Sequence, residues 1–231
     1  MSGGMTPHTN VEAWDRAASR YQKEFDPPVD SVPFGPGAPA DSELRLLPPF
    51  AGKRVVDLGC GAGQAAVAFA LGGAARTIAV DASADQIAAA RRRAEKEGAK
   101  VDFRHHDLAE LAFATAESID LVFSAATLDY VEDLGRVLRA AHRVLKPGAH
   151  LVFTLEHPAA LAGDGPRGYA DPEPLKVERY GEAFLVYPRS MAEVVSTLAK
   201  AGFRLDGLAE PVVPGARLPA VAVWRARKEG R

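Results

Sequence analysis

The sequence predicts a single α/β domain, with a parallel sheet covered by helices on both faces. Two observations carry this. Apolar runs of strand length alternate with amphipathic runs of helix length from residue 54 to residue 155, the rhythm of parallel strands joined by helical crossovers. The first strand also opens into Val55-Val56-Asp57-Leu58-Gly59-Cys60-Gly61-Ala62-Gly63-Gln64, with glycines at alternate positions and an alanine-rich helix from Ala65 to Ala70 behind them. Glycine reaches positive φ and lets a ligand come close to the backbone.

The elements follow in order. Residues 1–10 are polar and small, which predicts a disordered tail. From Val11 to Phe25, Trp14, Ala17, Ala18, Tyr21 and Phe25 recur at helical spacing and predict an amphipathic helix. Asp26 to Ala40 holds five prolines and two glycines and reads as a loop, and Ser42 to Leu47 as a short helix stopped by Pro48-Pro49. Strand Arg54–Asp57 leads into a helix ending near Leu71, and strand Thr77–Asp81 into a helix from Ala84 to Glu97. Ser83 and Gln86 form a capping box at the start of that second helix, and Gly98 stops it. Strand Lys100–His105 precedes a segment at Leu108–Phe113 without clear periodicity. Strand Ile119–Ser124 precedes a helix from Val131 to Leu145, and Lys146-Pro147-Gly148 turns into strand His150–Leu155. Residues 157–189, rich in Gly, Pro and Tyr, read as a long loop inserted on the substrate side. Ser190 with Glu193 opens a helix to Ala201, and Phe203–Leu208 and Ala220–Ala226 are the last strands.

Composition narrows the function. At 231 residues, 47% hydrophobic and 25% charged, the chain matches an ordinary globular domain with its own core. A net charge of −2 gives no general attraction to nucleic acid or an anionic membrane, so neither is expected as a partner. Arg91-Arg92-Arg93 fans around a helix and reads as a solvated face. The single cysteine, Cys60, excludes an internal disulfide and fits a reducing compartment; between two glycines it reads as a small packing residue. No basic and apolar leader and no run of about 18 apolar residues is present, so a cytoplasmic enzyme is expected.

The chemistry lies in the glycine turn. Asp81 ends the second strand eighteen residues beyond Gly63, placed to accept hydrogen bonds from ribose hydroxyls. A dinucleotide site uses G-x-G-x-x-G to seat a pyrophosphate; here the spacing is G-x-G-x-G with Asp57 two residues ahead. A carboxylate there repels phosphate and suits an ammonium or sulfonium cation. Asp57-Leu-Gly-Cys-Gly-Ala-Gly63 resembles motif I of the class I S-adenosylmethionine-dependent methyltransferases, and Val80-Asp81-Ala82-Ser83 resembles their next motif. Tyr21, Val32-Pro33-Phe34-Gly35-Pro36, Glu43 to Leu47 and Glu156-His157-Pro158 are similar to an uncharacterised bacterial small-molecule branch of that family.

The resemblance implies a Rossmann-like sheet of seven strands in the order 3-2-1-4-5-7-6, strand seven antiparallel, with residues 11–50 as a helical cap over the cofactor site and 51–231 as the core. It implies S-adenosyl-L-methionine as cofactor, with Gly59, Gly61 and Gly63 under its methionine part and Asp57 orienting that end. Asp81 would hold the ribose, with Ala82 and Gln86 beside it. Asp107 and Leu108 would meet the adenine, and Ser124 would border the sulfur. Tyr21 either folds over the cofactor or is a core aromatic. Thr127, Asp129 and Tyr130 would lie near the transferred methyl, and Asp129 reads equally as a helix cap. His157 is the remaining candidate base. Tyr169, Tyr180, Tyr187 and Arg189 are candidates for the pocket roof. His105 and His106 point to opposite faces of a strand and read as surface and core histidines, with no metal site. The expected reaction is methyl transfer to oxygen or nitrogen of a small molecule by a monomer or homodimer. An NAD(P)-dependent oxidoreductase and a non-catalytic cofactor-binding protein are the alternatives.

Overall fold

The structure, a computed structural model, describes residues 9–163 and 166–230. Helix α1 (Thr9–Glu24) begins two residues before the expected start, so residues 9 and 10 are helical, and the remainder of the expected disordered tail lies outside the described residues. Helix α2 (Asp41–Leu44) follows the proline-rich loop. The chain then alternates through β1 (Arg54–Leu58), α3 (Gln64–Leu71), β2 (Arg76–Asp81), α4 (Ala84–Glu97), β3 (Val101–His105) and β4 (Ile119–Ser124). A 3-10 turn (Leu128–Tyr130) precedes α5 (Leu134–Val144) and β5 (Leu145–Glu156), then the short α6 (Pro158–Ala162), β6 (Leu175–Arg179), β7 (Glu182–Val186), α7 (Met191–Lys200), β8 (Phe203–Ala209) and β9 (Val221–Lys228).

Seven strands form one sheet in the order β3-β2-β1-β4-β5-β9-β8, and β9 runs antiparallel to both its neighbours, which is the order implied by the family resemblance. The central strands are apolar at successive positions because both faces are covered. Val56, Leu58, Val122 and Phe153 pack toward α5 and α7, while Val55, Leu121, Phe123 and Val152 pack against α3 and Phe34 of the proline-rich loop. Each expected capping box is realised in its N-cap half only: Ser83 Oγ accepts from the Gln86 amide at 3.1 Å and Ser190 Oγ from the Glu193 amide at 3.2 Å, while the Ser83 amide donates to Asp81 instead of to the Gln86 side chain.

Four elements differ from the sequence reading; the first is α2, which ends at Leu44, where Arg45 turns left-handed at φ 51°, rather than running from Ser42 to Leu47 and stopping at Pro48. Helix α5 starts at Leu134 rather than Val131, because Asp133 caps it by accepting from the Arg136 amide at 2.8 Å. Lys146-Pro147-Gly148 is an irregularity within β5, where the pairing jumps from Ile119↔Leu145 to Leu121↔His150. Residues 157–189 are not a plain loop: they contain α6 and the hairpin β6–β7, whose inward positions include Phe184 and Val186. Its two-residue turn places Tyr180 at φ 52° and Gly181 at φ 79°, the left-handed pair that matches strand twist. A side chain at Gly181 would also collide with the Arg20 guanidinium. Gly181→Ala is therefore expected to cost about 1–2 kcal/mol, read as a shifted urea midpoint with an unchanged slope.

Candidate cofactor and acceptor site

A cavity of about 750 Å³ opens at the C-terminal ends of β1, β2 and β4, where strand order reverses between β1 and β4. Open α/β sheets place ligands at this switch point because flanking loops diverge there. The glycine turn is drawn across the end of β2: the amides of Gly59 and Cys60 both donate to the Val80 carbonyl, at 2.8 and 3.0 Å. Gly59 sits at φ 71°, and a Cβ there would overlap Thr127. Gly61, at φ 50°, lines the cavity and donates its amide to Asp81 Oδ2 at 2.8 Å. Gly63 has a different task. It is the N-terminal cap of α3 at φ 80°, its missing side chain lets α4 approach at Ala90, and it is absent from the cavity lining. Its place under the cofactor is thus corrected to helix packing.

Asp57 and Asp81 both line the cavity. Asp57 is buried, and its Oδ2 has no hydrogen-bond partner. Loss of solvent, with the nearby Asp81 adding to it, pushes its carboxyl up to about 8. An orphaned buried carboxylate oxygen costs stability unless a ligand satisfies it. Asp81 is raised by burial too, although the amides of Ser83 at 2.9 Å and Gly61 hold it. Those two bonds aim the carboxylate and leave lone pairs for hydroxyl donors. Gln86 Oε1 is a second buried oxygen without a partner, and Gln86 lines the cavity with Ala82, Asp107 and Leu108. Asp107 accepts from the Ala109 amide at 2.7 Å and is exposed at the margin. His105 and His106 are both exposed and both line the cavity, so neither is a core histidine.

The other wall comes from α1 and the hairpin. Trp14 stands edge-on to Tyr21 and Tyr130, with ring centres 5.4 and 5.1 Å away, and packs on Tyr180 and Phe184. Tyr21 belongs to this aromatic cluster and also lines the cavity. Tyr130 also lines the cavity, while its hydroxyl accepts from Arg179 at 3.1 Å. Asn10 ties the wall together. Its Nδ2 donates to the Leu185 and Tyr130 carbonyls at 2.8 and 3.1 Å, and its Oδ1 accepts from the Leu185 amide at 2.9 Å. Sequence reading missed Asn10 because it lies in the expected tail, and Trp14 because helical spacing marks it only as apolar.

Several expected site residues stand elsewhere. Ser124 is fully buried and donates to the Leu58 carbonyl at 2.7 Å, pinning β4 to β1; Ala125, Ala126 and Thr127 meet the cavity in its place. Asp129 lies in the 3-10 turn behind the wall, where its Oδ1 accepts from the Glu156 amide at 3.0 Å and its carbonyl from Tyr187 at 2.8 Å. Burial and the Glu156 carboxylate push it up to about 7. It is neither a helix cap nor part of the cavity lining. His157 is buried as the cap of α6: Nδ1 accepts from the Ala159 amide at 3.1 Å and Nε2 meets Glu210 at 2.7 Å. Both ring nitrogens are engaged away from the cavity, which removes His157 as the base. His157→Ala is expected to cost on the order of 1 kcal/mol and leave ligand affinity unchanged, checked by thermal melting beside calorimetry.

Arg189 is a buried staple, donating to the carbonyls of Leu128, Tyr187, Val131 and Glu132; of the roof candidates, Tyr187 alone lines the cavity. Arg93 is likewise not on a solvated face: it donates to the Ala62 carbonyl at 3.1 Å and pairs with Asp26, bracing the glycine turn. The Cys60 thiol is pushed up by burial and so is held in its unreactive form.

Residues 56–153, which contain the turn, Asp81, Asp107 and the cavity-facing end of β4, match the sequence signature described as a methyltransferase domain. That matched segment, under half of the chain, is a methyltransferase domain by its sequence. Among curated relatives, a ubiquinone biosynthesis O-methyltransferase of Hahella chejuensis is 40% identical over 65% of this chain and 64% of its own length. One of the same description from Azotobacter vinelandii is 38% identical over 64% and 62%. The match thus spans a little under two thirds of these relatives. Among solved structures, an S-adenosylmethionine dependent methyltransferase of Mesorhizobium loti superposes with a TM-score of 0.64 at 25% identity, covering 80% of this chain and 94% of the other. The Burkholderia thailandensis 1,6-didemethyltoxoflavin-N1-methyltransferase, solved with that substrate and S-adenosylhomocysteine, shares the fold with a TM-score of 0.65 at 20% identity, over 100% and 93%. The likeness to these enzymes consists of the methyltransferase signature over residues 56–153 and the shared fold.

Proposed function

We propose that this protein transfers a methyl group from S-adenosylmethionine to a small-molecule acceptor. The observation that carries it is the unpartnered, buried Oδ2 of Asp57, lining the same cavity as the doubly anchored Asp81. One carboxylate suits the ammonium of the methionine part and the other suits vicinal ribose hydroxyls. Gln86, Asp107 and Leu108 stand where the base would be held, and Tyr21 covers the adenosine side. The cofactor supplies an electrophilic methyl carbon on a sulfonium, so the protein's task is to orient an acceptor and exclude water. Trp14, Val131 and Leu185 give the walls that do so. Asp129 and His157 are committed to the backbone elsewhere, so the residues named here orient the acceptor rather than deprotonate it.

A pyrophosphate-binding oxidoreductase is disfavoured by the turn itself. The amides of Gly59, Cys60, Gly61 and Gly63 are spent on Val80, Asp81 and Cys60, so these four offer no anion nest. The relatives named for O-methylation support oxygen as the methylated atom. Among the described residues no helix is long and apolar enough to cross a membrane. The near-neutral charge supports a reaction without a nucleic-acid partner, and the single cysteine supports a reducing, cytoplasmic compartment. Calorimetric titration with S-adenosylhomocysteine is expected to give one site per chain with micromolar affinity. Folded protein that binds none of it would remove this reading.

A further inference from the structure

The part of the cavity wall opposite the cofactor carboxylates is apolar, formed by Val11, Trp14, Tyr130, Val131 and Leu185. Most of its polar groups are already engaged, the Tyr130 O–H proton being left as a donor. All the hydrogen-bonding groups of Asn10 engage Leu185 and Tyr130 backbone, and the Thr127 hydroxyl lies 2.9 and 3.0 Å from the Ala125 and Gly59 carbonyls. The Tyr130 hydroxyl is taken by Arg179, and that guanidinium is neutralised by Glu156 in a two-pronged pair, 2.7 Å at Nη2. Arg136 is the one guanidinium or ammonium among the described lining residues. It stands at the adenine end, 3.8 Å from Asp107 and 3.7 Å from Glu110. The acidic lining is larger: Asp57, Asp81, Asp107, Glu132 and Asp133.

An anion entering this cavity would lose its hydration and meet no free cation on the apolar wall. A neutral molecule with many polar groups would also lose more water than the few remaining donors of this wall replace. An aromatic ring, in contrast, extends the edge-to-face cluster around Trp14. We infer that the acceptor is an uncharged, largely apolar aromatic molecule seated against Trp14, and that acceptors carrying a carboxylate or phosphate are rejected. This inference rests on the methyl-transfer reading for the term "acceptor", but the selectivity it describes belongs to the wall.

Three naphthalenes of one shape and different charge test it: 2-naphthalenemethanol, 2-naphthoate and 2-naphthylmethylammonium. Each is titrated calorimetrically into the full chain, with and without S-adenosylhomocysteine. With S-adenosylhomocysteine present, the alcohol is expected to bind at least ten-fold more tightly than the carboxylate, while the ammonium, drawn to the acidic lining, serves as the control for charge sign. Equal or tighter binding by the carboxylate, or no binding by the alcohol at its solubility limit, overturns the inference. Trp14→Leu is expected to weaken binding of the alcohol at least five-fold by calorimetry; an affinity unchanged in that variant places the ligand elsewhere and overturns the assignment. Failure of S-adenosylhomocysteine to bind would remove the methyl-transfer reading and leave the ranking of naphthalenes to be judged separately.

Discussion

Asp81→Ala is expected to weaken S-adenosylhomocysteine binding by about 100-fold or more, measured by calorimetry. Hydrogen bonds to a charged group contribute about 1.5–3 kcal/mol each, so loss of two ribose contacts exceeds 3 kcal/mol. The substitution also frees the amides of Gly61 and Ser83, which the carboxylate now holds at 2.8 and 2.9 Å. The glycine turn therefore loses an anchor together with the ligand contact, and a lowered melting temperature should accompany the lost affinity. Asp81→Asn separates the two effects. It keeps an oxygen for one amide and loses the charge, so it should fall between wild type and Ala. Affinity within three-fold of wild type for both variants would remove Asp81 from the site.

Affinity for S-adenosylmethionine should rise as pH rises from 6 to 8, by up to about 50-fold, through Asp57. Burial holds the carboxyl of the free protein near 8, so at pH 6 it is protonated and must lose that proton to receive a cation. Binding at pH 6–7 should release close to one proton, read from titrations in buffers of different ionisation enthalpy. The same shift has a sign for stability. A folded carboxyl whose affinity for protons exceeds the unfolded value of 3.8 makes the native state bind more protons than the unfolded chain between about pH 4 and 8. Stability falls as pH rises across that window, in contrast to the usual depressed carboxylate. Asp57→Asn should flatten both profiles and bind the cofactor weakly at every pH. A wild-type affinity flat from pH 6 to 8 with no proton released would sink the assignment.

These two carboxylates were legible in sequence because their roles depend on local geometry: each ends a buried strand, and the intervening turn is set by glycines at positive φ. The sheet core was legible for a similar reason, since strands buried on both faces must be apolar at successive positions. The β6–β7 hairpin was hidden by its turn, where Tyr180 stands in a left-handed conformation usually given to Asn or Gly. Its strands alternate in burial around that turn, with Phe184 and Val186 inward, a signal that was present but masked by the surrounding glycines and prolines.

The division for the site follows the range of the interactions. Sequence alone determined the α/β class, the glycine turn and the acids at the ends of β1 and β2, because these depend on neighbours a few residues apart. Only the tertiary structure decided the acceptor wall. Asn10 joins residues 120 and 175 positions away, and Arg179 on the hairpin reaches both Tyr130 and Glu156. Tertiary packing likewise turned His157 and Asp129 away from the cavity, toward backbone amides whose unmet hydrogen bonds would be costly to bury.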